Sequence, residues 1–125
     1  MRLSRRGLLA GIAAICLWPR PVRASEAEVS DALLALLDDQ KDAAALGAAW
    51  LQKEPAQRDA ILSSLEERLR GQGWAGAAEN LRGAMLLSVA DDFRTGAVVT
   101  VQGWQIARTQ AELCAVAYFA ETGSW

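Results

Sequence analysis

The sequence predicts a mainly α domain, four to five helices with a short β-hairpin before the C-terminal helix. Three observations predict it. From Ser25 onward apolar residues recur every three or four positions through four successive stretches, the repeat of helices with one buried stripe. Near residue 97 the period shortens and the residues become β-branched. The chain then enters an apolar run over 111–120 with almost no polar face, which only a helix covered on nearly all sides can accommodate.

The elements follow in order. Ser25 and Glu28 have the spacing of a capping box, and Val29, Leu33, Leu36 and Leu37 share one stripe of a first helix. Asp38-Asp39-Gln40 reads as a break. A second helix, about 42–53, turns Leu46, Ala49 and Trp50 inward and must stop near Pro55, because proline disfavours helical geometry in the residue before it. A third starts around Pro55, carries Ile61, Leu62, Leu65 and Leu69 inward, and ends at Gly71, a left-handed terminator after Arg68 and Arg70. The fourth and longest, about 75–94, repeats Ala78, Leu81, Met85, Val89 and Phe93 and closes at Gly96. Ala97-Val98-Val99-Thr100-Val101 and Gly103-Trp104-Gln105-Ile106 are two strands turning at Gln102-Gly103. Thr109 as cap, with Glu112 three residues on, opens the last helix, about 110–120.

Charge is divided unevenly along the chain. The first 24 residues hold five of the 13 basic side chains and none of the 15 acidic ones, leaving 8 basic and 15 acidic groups, a balance of -7, over 25–125. Such a surface repels phosphate backbones, which argues against nucleic-acid binding. With no His in the chain, the commonest general base, the usual activator of Ser or Cys and most zinc sites are excluded.

Residues 1–24 have the three parts of a secretory signal: basic Arg2, Arg5 and Arg6, an apolar run of twelve residues over 7–18, and Val22-Arg23-Ala24 with small groups where a signal peptidase cuts, after Ala24. Twelve residues rise about 18 Å as a helix, short of a bilayer core of roughly 30 Å, so no stable membrane span is expected. Cys16 is not read as a lipid attachment site, because the residue before it is the bulky Ile15. Within this segment, Ser4-Arg5-Arg6-Gly7-Leu8-Leu9 resembles the twin-arginine (Tat) signal motif, with Arg20 and Arg23 as the late basic residues such signals carry and Leu9 where Phe is usual. The resemblance implies export through the Tat translocase, cleavage by signal peptidase, and a mature single domain over 25–125 in the periplasm or outside the cell. Proteins of that kind cross the bacterial inner membrane already folded, either holding a cofactor or bound to a partner that bears the signal or the cofactor.

The mature part offers little chemistry. Gly71-Gln72-Gly73-Trp74-Ala75-Gly76 satisfies G-x-G-x-x-G, with Asp91 and Asp92 about twenty residues on, but no strand precedes it, so it reads as a helix end and connection rather than a dinucleotide loop. Asp38, Asp39 and Asp42 lack calcium-loop spacing and read as a turn and helix start. Asp91 and Asp92 oppose the dipole of the fourth helix, which suggests that one pairs with Arg94 or Arg108. Cys114, the mature chain's one thiol, reads as a buried small hydrophobe, with an intermolecular disulfide as the alternative. Ser63, Ser64 and Thr109 match no nucleophile motif. No cofactor, metal or catalytic residue set emerges. Of the four mature Trp, Trp50 reads as core; Trp104 either covers the core or anchors a partner; Trp125 frays or docks.

The stretch 92–115 is similar to the tail of small, uncharacterised proteobacterial Tat-exported proteins, with Asp92-Phe93-Arg94 at a helix end, Gly103-Trp104 on a strand and the Thr109-capped apolar helix. No activity comes with the resemblance. The expected function is that of a non-catalytic periplasmic accessory protein, a small subunit or escort of a Tat-exported redox enzyme, meeting an unidentified protein through Trp104, Tyr118 and Phe119. The alternative is a small carboxylate-based enzyme or ligand-binding protein using Asp91, Asp92 or Glu112 with Arg94 or Arg108. Its mark would be a pocket in which those acids converge.

Overall fold

Helix-breaking residues and caps divide the described residues into five α-helices and one hairpin. In a computed structural model, which describes residues 26–123 and side chains from Val29 onward, the order is α1 (Glu26–Leu34), α2 (Gln40–Lys53), α3 (Arg58–Gly71), α4 (Leu81–Thr95), β1 (Val98–Val101), β2 (Trp104–Ala107) and α5 (Arg108–Glu121). The expectations on Arg5, Arg6, Ala24, the Ser25 cap and Trp125 lie outside the described residues. A mainly α fold with a hairpin before the last helix is what the sequence predicts. One hydrophobic cluster draws on all five helices and the hairpin.

The C-terminal helix is the centre of that cluster. In α5, Ala111, Leu113, Cys114, Ala115, Val116 and Ala117 are buried among α1, α2, α3 and α4, which accounts for its missing polar face. Its most extensive neighbour is α2. The inward face of α2 is Ala43, Ala44, Gly47 and Trp50, with Leu46 and Ala49 half-buried, so the predicted stripe is corrected toward the smaller residues. The cause is proximity: a Cβ on Gly47 would lie 2.2 Å from the Cys114 carbonyl oxygen. Asp39 caps α2, its Oδ1 accepting the Asp42 N–H at 3.0 Å.

Several boundaries differ from expectation. Helix α1 ends at Leu34, so Leu36 and Leu37 lie in the turn beyond it rather than on its stripe, half-buried against the core. Pro55 to Gln57 lies outside any helix, with Gln57 extended, and α3 starts at Arg58. Its left-handed terminator is Gly73, at φ +87°, rather than Gly71. The Gly73 N–H donates to the Arg70 carbonyl at 3.0 Å and the Trp74 N–H to the Leu69 carbonyl at 3.1 Å, a Schellman motif in which buried Trp74 follows the glycine. The G-x-G-x-x-G string is thus a helix end. The fourth helix begins at Leu81, after a 3₁₀ turn over Ala78–Asn80, and buries Leu81, Ala84, Met85, Ser88 and Asp92. Phe93 is 52% exposed, because a strict four-residue repeat drifts about 40° per step around a helix of 3.6 residues per turn.

The hairpin pairs Val98 with Ala107 and Val101 with Trp104 in antiparallel register. Its two turn residues, Gln102 at φ +50° and Gly103 at φ +83°, are both left-handed, as a two-residue primed turn requires. Glutamine is a poor occupant of that region. Gln102→Gly is therefore expected to stabilise the fold by about 1 kcal/mol, read from the denaturation midpoint. A lower midpoint would mean that the Gln102 side chain supplies something the turn geometry does not show.

Candidate functional site

Six polar side chains meet where α3, α4 and α5 cross. Each helix supplies two at helical spacing: Ser64 and Arg68, Ser88 and Asp92, Thr109 and Glu112. Ser88, Asp92, Thr109 and Glu112 are 2%, 4%, 0% and 1% exposed, so this is a polar seam inside an apolar core. Arg68 lies between the two carboxylates: its Nη1 donates to Asp92 Oδ1 at 2.9 Å, and its Nε lies 3.1 Å from Glu112 Oε1, an ion pair without hydrogen-bond alignment. Asp92 Oδ2 accepts both the Thr109 N–H at 2.7 Å and the Thr109 hydroxyl at 2.6 Å. The Thr109 oxygen is also 2.7 Å from the Ser88 hydroxyl, and Ser64 donates to Glu112 Oε2 at 2.5 Å.

This geometry explains why acid sits near the end of α4. Asp92 opposes the dipole of its own helix but lies at the N-terminus of α5, where exposed N–H groups favour negative charge. Thr109 and Glu112 are accordingly not a capping box. Helix α5 starts at Arg108, two residues before the expected start, Ala107 precedes it, and Gln110 Oε1 accepts the Ala107 N–H at 2.9 Å. Of the expected pairings, Asp91 does meet Arg94, on the surface. Asp92 meets Arg68, while Arg108 turns to Glu54 at 3.2 Å and lies 5.5 Å over the Trp50 ring.

Burial pushes the Glu112 carboxyl above its ordinary range, against the opposing pull of the Ser64 hydroxyl and the Arg68 charge. Folding therefore favours the protonated form. That stabilisation is complete below the ordinary value of 4.5 and is lost as pH rises through the folded value. Glu112→Gln cannot titrate and still accepts from Ser64, so its stability is expected to fall less than that of the parent between pH 4.5 and neutrality. Parallel curves from denaturant titrations would exclude Glu112 as the group responsible. At Glu54 the Arg108 hydrogen bond holds the carboxyl below its ordinary range, a surface effect of the opposite sign.

A cleft of ≈ 210 Å³ beside α4 is lined by Leu36, Leu37, Arg82, Met85, Leu86, Val89, Gln110 and Leu113, with no carboxylate in its wall. Cys114 is buried with its thiol pushed up to about 11, so it stays protonated at neutral pH. Among the described residues, no group of three or more potential metal ligands occurs, and no helix is long and apolar enough to cross a membrane.

The partner-facing candidates divide. Trp104 is 70% exposed on β2, sharing a face with Val101, Val99 and Ile106, which pack on the core, and overhanging its edge. Tyr118 and Phe119 are half-buried, 5.6 Å apart edge to face, Tyr118 against the Ala43, Ala44, Cys114 and Ala117 cluster and Phe119 against the main core. Lys53 Nζ donates to the Thr100 carbonyl at 2.9 Å and ties the hairpin to α2. Compared with models of known families, with curated proteins and with solved structures, the chain matches none.

Proposed function

We propose that this chain is exported folded by the Tat route, on the signal at Arg5 and Arg6 with cleavage after Ala24. The mature domain is then a non-catalytic partner-binding protein of the periplasm, an accessory subunit or escort of a Tat-exported redox enzyme. The observation that carries the partner-binding part is Trp104: a large aromatic side chain, 70% exposed, presented on a tight hairpin braced against α2. Aromatic anchors on rigid elements dominate interface energetics, and leaving one in water has a hydrophobic cost that a partner would remove. Of the acids that the enzyme alternative would use, Asp92 and Glu112 are engaged with Arg68, Ser64 and Thr109 inside the core, and Asp91 pairs with Arg94 on the surface.

The test is mass spectrometry of proteins recovered with the mature chain from the periplasm, for the parent, for Trp104→Ala and for the Arg5→Lys, Arg6→Lys pair. The parent should carry a near-stoichiometric companion. Trp104→Ala should be exported and folded without it, and the double Lys variant should remain inside the cell. A companion equally abundant with Trp104→Ala would overturn the role of that residue, recovery of the parent as a free monomer would overturn partner binding, and normal export of the double Lys variant would overturn the Tat route.

A further inference from the structure

The cleft of ≈ 210 Å³ beside α4 is walled by leucines, Val89 and Met85, and its two polar side chains, Arg82 and Gln110, both have hydrogen-bond donors to spare. Arg82 is the second residue of α4, where a cation adds to the positive end of the helix dipole instead of offsetting it. The first turn of that helix holds no acidic residue, and Asn80 before it gives no side-chain cap. Among the described residues Arg82 makes no ion pair or hydrogen bond, even with Glu79 three positions earlier. Gln110 adds the second donor. Its Oε1 is held by the Ala107 N–H, which fixes the nitrogen end of the amide, and that NH₂ has no acceptor among the described residues. A guanidinium and an amide NH₂, neither of which can accept, thus border one apolar cleft without a carboxylate in its wall.

We propose that this cleft binds a small arylalkanoic acid, its ring among the apolar side chains and its carboxylate on Arg82, with the Gln110 NH₂ as second donor. An aliphatic cavity of roughly 150 Å³ accepts benzene, so ≈ 210 Å³ has room for a ring and a short chain. Met85 suits an aromatic occupant, because its unbranched thioether adapts to the ring and its sulfur packs favourably at a ring edge. The planar guanidinium fork matches the two oxygens of a carboxylate. A bound anion also offsets the charge that Arg82 adds at the start of α4. Trp104 is no part of this site, so the binding stands or falls independently of partner recognition.

Methyl NMR titration of the whole chain with 3-phenylpropionate tests this. Saturable shifts are expected at Met85, Val89 and Leu113, with a Kd of about 0.1–1 mM, ordinary for a ligand of about eleven non-hydrogen atoms. The neutral 3-phenylpropionamide, with the same body and no charge, should bind the parent roughly tenfold or more weakly. In Arg82→Gln, at an exposed position that leaves circular dichroism unchanged, the acid should fall to the level of the amide, while the amide keeps its affinity within about twofold. The proposal is overturned by the absence of saturable shifts in the millimolar range, by equal affinity of acid and amide for the parent, or by an acid that binds Arg82→Gln as well as the parent. Shifts confined to residues outside the cleft, as adventitious attachment to Phe93 or Trp104 would give, overturn it as well.

Discussion

Gly47→Ala is expected to destabilise this domain by about 3 kcal/mol or more, although the same substitution in an exposed helix gains about 1 kcal/mol. The reversal comes from one crossing point. A Cβ on Gly47 would sit 2.2 Å and 2.4 Å from the Cys114 carbonyl oxygen and carbon and 2.7 Å from the Ala115 nitrogen. All three are backbone atoms of the most buried helix, so no side chain can swing aside; α2 and α5 would have to separate along their whole contact. Separation would open the Ala43, Ala44, Cys114 and Ala117 cluster and lift Trp50, 2% exposed, from the core. Larger residues at 47 should prevent folding. Gly71→Ala, at a position with nothing within 4 Å of the added carbon, is the control and should be neutral or slightly stabilising. Denaturant midpoints compare the two directly. Equal effects would mean that α2 and α5 can move apart at little cost.

That crossing also shows what the sequence disclosed and what it withheld. The hairpin was legible from the β-branched run over 98–101 and from Gly103, which takes a left-handed turn position at no steric cost, although Gln102 before it does so poorly. The central place of α5 was legible from the absence of polar residues over 113–117. The inward face of α2 was not, since Ala43, Ala44 and Gly47 look weakly apolar until the backbone they approach is known. The polar seam was hidden for a related reason. Ser64, Arg68 and Ser88 each have an ordinary surface reading, Arg68 as a favourable charge near the end of α3, and only the meeting of three helices gives them partners. Three polar pairs at helical spacing within otherwise apolar stripes were the available signal. Asp92 was half legible: its conflict with its own helix dipole pointed to a partner, but the partner is both Arg68 and the start of α5, a tertiary fact. The burial of Asp92 then turns Phe93 outward, where a four-residue repeat had placed it inside.

Removing the one cation of that seam should be nearly as damaging as the clash at Gly47. In Arg68→Ala the Asp92 and Glu112 side chains, 5% and 1% exposed, remain in the core without their counter-charge, and a buried pair broken from one side costs about 3–5 kcal/mol. The two acids should not suffer equally. Asp92 keeps the Thr109 N–H and hydroxyl, whereas Glu112 keeps only the Ser64 hydroxyl, so most of the loss should pass through Glu112. Without Arg68 its carboxyl is pushed further above the ordinary range by burial, and folding then favours its protonated form more strongly than in the parent. Stability of the variant is therefore fullest below 4.5 and falls as pH rises, so the gap between variant and parent widens toward neutrality. Arg68→Lys should recover part of the loss, because a single ammonium cannot span both carboxylates as a guanidinium does. The double change Arg68→Met, Glu112→Leu should recover more, since it removes the orphaned charge and leaves Asp92 capping α5. Thermal and denaturant unfolding across pH, for the three variants and the parent, separates these contributions. A loss in Arg68→Ala that does not change with pH would show that Arg68 acts through the packing of its aliphatic stem rather than through its charge.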